Sequence, residues 1–168
     1  MAATVPILQA VVSWLQDELP DAEVRLFPDD PATYRFIHPK GAVLVGYQGS
    51  KFGRIEQLGA ISQQRVITLH LTVFGRGLHN DGAALDLLDR LRLAVAGYQP
   101  PHCLPCHLIS EQFLSENAGS WQYQLLVQTE THQVQQCRAE QAPLFTAARY
   151  RRDGQPPEPD LKPRPKKE

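Results

Sequence analysis

Three cysteines in 168 residues are too few, and odd in number, for a secreted disulfide framework, and they point to a reducing compartment. No apolar run approaches the roughly 20 residues that cross a bilayer. The opening stretch MAATVPILQAVVSWLQDELP lacks the basic region of a secretory signal, and acidic residues follow soon after Trp14. Neither sign of charge dominates. Seventeen basic against eighteen acidic side chains leave a formal charge of −1, which argues against a domain devoted to coating nucleic acid. There is no internal repeat, no Gly-x-x-x-x-Gly-Lys-Ser/Thr phosphate loop, no second Cys-x-x-Cys and no His-x-x-x-His. What is present is 42% hydrophobic residues in 18.8 kDa. A chain of that size buries roughly 70% of its unfolded surface, so it builds a core without staples. The expectation is a soluble, intracellular, globular protein.

Periodicity supplies the elements. Ile7, Val11, Leu15 and Leu19 recur at i+4, with Pro6 in the first turn and Thr4 as expected cap, which predicts a helix ending at Pro20. Glu23 to Phe27 reads as a short strand and Pro28–Pro31 as a turn. Tyr34–Ile37 and Ala42–Tyr47 read as strands joined by a hairpin turn at His38–Gly41, the second covered on both faces because Ala42–Val45 is continuously apolar. Between Gly46 and Gly59 the pattern lapses into an expected long loop carrying Lys51, Arg54 and Glu56. Gln64 to Phe74 alternates cleanly, with Arg65, Ile67, Leu69, Leu71 and Val73 on one face. Asp81 is the expected cap of a second helix from Gly82 to Ala96, with Gly97 at its end and Ala84, Leu87, Leu88, Leu91 and Val95 as its stripe. Asp86 and Asp89 stand at salt-bridge spacing from Arg90 and Arg92. Strands near 106–113 and 121–131 close the pattern around Glu116–Gly119. Strands in runs rather than alternating with helices predict an α+β fold, a mostly antiparallel sheet of about five strands with two helices on one face.

The last twenty residues differ in kind. From Arg149 to Glu168 there are seven basic and four acidic residues, five prolines and, after Tyr150, one large apolar side chain, Leu161. Such a stretch cannot offset its ordering entropy by burial. The expected organisation is a single α+β domain over 1–135, followed by an irregular segment and a flexible, basic, Pro-rich tail over 136–168. That tail is where nucleic acid contact would occur, because phosphates attract Lys and Arg regardless of sequence.

Few residues invite chemistry. In His102-Cys103-Leu-Pro-Cys106-His107 two thiols at this spacing can hold zinc or exchange disulfides. The run follows a helix and leads into a strand, the reverse of a redox motif. His102, His107 and Cys137 are the only further ligands nearby, so Cys103 and Cys106 read first as small apolar residues. The rival reading is a small metal- or thiol-dependent binding protein built on this cluster. His70 lies mid-strand without a partner at catalytic spacing and reads as a packed histidine. Ser50 sits in an expected flexible loop, and Trp14, Trp121 and Tyr123 read as packing residues. No enzyme signature stands, and no metal or other cofactor is expected.

One resemblance adds to this. His38-Pro-Lys-Gly-Ala-Val-Leu-Val-Gly-Tyr-Gln-Gly-Ser-Lys-Phe52, Gln64 to Arg76, Gly82 to Arg92 with Gly97-Tyr-Gln-Pro100, and the closing hairpin with Trp121-Gln-Tyr123 resemble the tail-terminator-like proteins of Mu-like phages and prophages, over about residues 5 to 132. The resemblance implies a non-enzymatic virion-assembly protein that forms a ring, commonly a hexamer. It implies that the ring caps the tail tube and joins it to the head–neck complex, without cofactor or membrane. It implies work in the host bacterial cytoplasm during assembly and a place in the virion tail or a prophage-derived particle. A ring needs two complementary patches on each copy. Lys51, Phe52 and Arg54 in the Gly46–Gly59 stretch, with Arg65 and Arg76, are the expected contact residues. The Cys-x-x-Cys and the basic tail depart from the family pattern.

Overall fold

A computed structural model describes residues 3–30, 34–56 and 60–136. The element order is α1 (Thr4–Glu18), β1 (Glu23–Leu26), β2 (Gly41–Ile55), β3 (Ser62–Arg76), α2 (Ala84–Val95), β4 (His107–Asn117) and β5 (Ser120–Val134). They form one mixed five-stranded sheet in the order β1-β2-β3-β5-β4, the α+β fold expected. Only β1 and β2 run parallel. The compact unit runs from Met1 to Gln135. Cys137 and the Pro-rich segment to Glu168 lie outside the described residues.

One face of the sheet carries the core. Ile7, Val11, Leu15 and Leu19 of α1, and Leu87, Leu88, Leu91 and Val95 of α2, pack on Val43, Val45, Ile67, Leu69, Leu71, Val73, Leu125 and Val127. Each fully buried side chain of this kind contributes roughly 1.5–3 kcal/mol. That outweighs the about 1 kcal/mol a cap supplies, and neither helix has a side-chain cap. Thr4 is therefore not the cap expected: Ala3 holds that position and Thr4 is the first helical residue. Asp81 is not a cap either, because α2 begins at Ala84. Its start is set by contact. A Cβ on Gly75 would meet Ala84 backbone at 2.4–2.5 Å, so the helix sits directly on the β3 backbone where only glycine fits.

The opposite face is covered over part of its width. Tyr34–Ile37 is not a strand. With Phe27, residues Tyr34 and Phe36 pack over Ala42, Leu44 and Phe74, making a second small cluster. This chain segment bridges the parallel pair β1 and β2, and Arg76 holds it by donating to the Ile37 and His38 carbonyls, 3.3 Å each. No hairpin turn forms at His38–Gly41; instead the His38 ring nitrogen Nδ1 accepts from the Lys40 and Gly41 amides. The expectation that Ala42–Val45 is covered on both faces holds.

The Gly46–Gly59 loop is also corrected. β2 continues to Ile55, paired with β3, with register shifts at Tyr47/Gly49 and Phe52/Ile55. These bulges break the alternation that a strand would otherwise show. Ala118 and Gly119 both take positive φ between β4 and β5, the geometry of a two-residue type I′ hairpin. Arg90 binds Asp21 through two hydrogen bonds and pairs with Asp86, while Arg92 pairs with Asp89 and Glu111. The Arg90 guanidinium holds the Asp21 carboxyl below the usual carboxylate range. Among the described residues no helix is long and apolar enough to cross a membrane.

Gly75→Ala is expected to lose about 2 kcal/mol in urea unfolding, because neither β3 nor the α2 backbone can yield without repacking the core.

Candidate functional site

The sheet ends in two very different ways. On the β1 side the edge strand is four residues long, and the Gln16 side chain of α1 donates to its Val24 carbonyl at 2.8 Å. β1 pairs with β2 only from Ala42 to Val45. Beyond that point, Tyr47 to Ile55 has no strand on its outer side among the described residues. On the other side β4 is eleven residues long, and all but Ser115 are exposed. Edge strands of this length are normally shielded, since free backbone donors and acceptors template pairing with another chain.

β4 is also apolar on both faces. Leu108 and Phe113 lie on the helix side, with Phe113 ringed by Trp121 and Tyr123. Ile109 and Leu114 fall in the register shifts after Leu108 and Phe113. These four side chains keep 38–51% of their surface exposed, an apolar margin along the edge of the sheet. Sequence reasoning missed this margin. The available signal was the doubling of apolar residues in Leu108-Ile109 and Phe113-Leu114, which marks bulges in an otherwise alternating strand.

The expected contact residues divide. Lys51, Phe52 and Arg54 are exposed together on the open stretch of β2, and Phe52 keeps 56% of its surface in solvent. Arg65 is elsewhere. It is buried, its Nε donating to Ser50 Oγ at 2.9 Å and its Nη2 to Thr4 Oγ1 at 2.7 Å. Its guanidinium ties the start of α1 to the sheet rather than facing a neighbour. Arg76 is exposed but lies over the Phe36 ring at 5.2 Å while binding the 34–40 segment. Ser50 is strand, not loop, and accepts from Tyr47 as well as Arg65.

The cysteine run serves the core. Cys103 and Cys106 are both buried in the main hydrophobic cluster. Gly97 and Tyr98 exchange backbone bonds with Cys106, and the Leu104 amide donates to the Glu130 carbonyl at 2.8 Å. Thr129 and Thr131 donate to the Leu104 and His102 carbonyls. The loop thus occupies the edge of β5 where β4 does not reach. Burial pushes both thiols up, that of Cys106 to about 12, so as free thiols they stay protonated near neutral pH. Among the described residues no three His, Cys, Asp or Glu side chains stand together as a metal site. A cleft of about 480 Å³ beside this loop is lined by Gln64, His102, Glu130 and His132 among others, and Gln64 is bonded to Glu130 at 2.6 Å.

His70 is packed, as its sequence position suggested. Its ring meets Phe27 edge-on with centroids 5.0 Å apart and fills the space that a Cβ on Gly46 would need. Burial lowers its pKa. Trp14 stacks on Tyr98 at 4.9 Å and donates to the Ala94 carbonyl, linking α1 to the end of α2.

In a Cys137→Ser background the folded protein is expected to leave its thiols untouched by a disulfide reagent near pH 8, reacting only once denaturant opens the core. For His70 the neutral form is favoured on folding. Its stabilisation is complete above the unfolded pKa, about 6.5, and is lost as pH falls through the lower folded value. Thermal unfolding of the parent chain should therefore fall more steeply between about pH 7.5 and pH 5 than that of His70→Gln.

Comparison with curated proteins finds no match. A family model described as Gp37 protein matches residues 11–152, which takes in most of α1, all five strands and α2. With that span covered, the chain belongs to the Gp37 protein family, a phage-associated family.

Proposed function

We propose that the protein is a tail-terminator-like assembly protein, whose copies associate into a ring that caps the tail tube and joins it to the head–neck complex. The observation that supports this best is β4: an eleven-residue edge strand, apolar on both faces and with no strand on its outer side among the described residues. Exposed apolar margins of this kind are the mark of a protein that works by contact area. Phage-family membership supports the setting. The packing of Cys103 and Cys106 inside the main hydrophobic cluster speaks against the rival metal- or thiol-dependent reading. In this reading the protein is not an enzyme and holds no cofactor. Its partners are further copies of itself, hexameric by resemblance, the tail tube protein and the head–neck connector proteins. It works in the host bacterial cytoplasm during assembly and remains in the tail or a prophage-derived particle. The basic residues between Arg149 and Lys167 are the ones nucleic acid would attract.

Light scattering on the purified full chain is expected to give one discrete oligomer of ring size, and deleting the gene from its phage to give tails of unregulated length that fail to join heads. Replacing Ile109 and Leu114 together by lysine should dissociate the oligomer while changing stability by no more than about 0.5 kcal/mol per site. A chain that stays monomeric both alone and with the tube protein overturns the reading.

A further inference from the structure

The two open edges belong to one sheet and lie on opposite sides of it. We propose that neighbouring copies join by strand addition, β4 of one copy pairing with the free stretch Tyr47–Ile55 of β2 in the next, so that the sheet runs continuously from copy to copy. This rests on the ring reading and specifies its joint.

The two edges differ in the sign of their charge. Tyr47–Ile55 carries Lys51 and Arg54 and no acidic residue, whereas β4 carries Glu111 and Glu116 and no Lys or Arg. Glu111, which also pairs with Arg92, and Glu116 lie on the helix face and Lys51 on the opposite one, so the attraction acts between the two edges as wholes and not between directly opposed side chains. Two copies of β4 laid edge to edge would set an acidic edge against an acidic edge, and two β2 stretches a basic edge against a basic one. Only the mixed pair joins plus to minus. A joint between two different patches is head-to-tail, the kind that closes into rings.

Direction agrees. β2 and β5 both run antiparallel to β3, and β4 runs antiparallel to β5, so β4 is antiparallel to β2. A copy related by rotation about an axis along the strands therefore presents β2 antiparallel to β4, the slightly more stable ladder. The apolar complement is present too: Phe52 and Ile55 on one edge, with Leu108, Ile109, Phe113 and Leu114 on the other, are all exposed in the single chain.

The edges are staggered. Through the ladder, Gln112 at the centre of β4 is level with Leu44, whereas the centre of the open stretch is Lys51, seven residues further on. That offset, on the order of 20 Å at the rise of a strand, requires the strands to tilt against the ring axis, as they do when a sheet closes on itself.

The test is cysteine pairing in the full chain with Cys137→Ser. Ser110→Cys, Gln112→Cys or Ser115→Cys is combined with Lys51→Cys and oxidised with diamide; these four positions share the sheet face opposite the helices. At least one combination is expected to lose its monomer band to a ladder of covalent oligomers on a non-reducing gel, while each single variant remains monomeric there. Covalent dimers from a β4 cysteine alone would show β4 pairing with its own copy and overturn the joint. A discrete oligomer by light scattering in which no combination cross-links would also overturn the joint while leaving the ring standing. A chain that stays monomeric at every concentration and also with the tube protein overturns both.

Discussion

The ladder through β3 is the constraint on which the rest of this fold depends. Each of its residues from Ser62 to Arg76 has a partner in β5, and most have one in β2. With both sides of β3 occupied, the sheet has to terminate further out, and it does so unequally. The β1 side is short, parallel and tied down by Gln16. The β4 side is long and bare. The imbalance follows from chain order: β1 and α1 precede the long hairpin and fold onto its base, whereas β4 is laid down last but one, with no described segment left to cover it.

The two faces differ for a related reason. Both helices lie on one face, because α1 and α2 each carry a single apolar stripe and the stripes meet the same rows of Val, Leu and Ile. Among the described residues the other face is covered by Phe27, Tyr34 and Phe36, which pack on Ala42, Leu44 and Phe74. Past them β5 presents Gln122, Gln124 and Gln128, all half-buried, with Gln124 accepting from Gln112 and Gln128 donating to Thr68.

Much of this was legible in the sequence wherever a period was clean. The i+4 stripe from Ile7 to Leu19, the alternation from Arg65 to Val73 and the helical stripe from Ala84 to Val95 all give their elements directly. The failures have physical causes. Bulges at Gln48 and beyond Phe52 disguised the second half of β2 as a loop, since each extra residue shifts the alternation. Tyr34–Ile37 has strand composition, yet its aromatics are used to roof Phe74, with Tyr34 and Phe74 centroids 5.3 Å apart, and no ladder forms. Arg65 looked like a surface cation because its partners, Ser50 and Thr4, are 15 and 61 residues away. Of the candidate contacts, Lys51, Phe52 and Arg54 stand exposed on one stretch of β2, and the more exposed β4 was passed over as an ordinary half of a hairpin.

The stacking of Trp14 on Tyr98 has a use beyond holding α1 in place. The chain has two tryptophans, and they occupy unrelated surroundings: Trp14 of α1 stacks on Tyr98 just past α2, and Trp121 leans on Phe113 beside the bare strand. Light emitted by the first reports whether the helical layer is intact, and light emitted by the second responds to whatever settles against the rim. A chain with either indole replaced by phenylalanine thus separates, in one cuvette and without a dye, the melting of a copy from its parting from a neighbour.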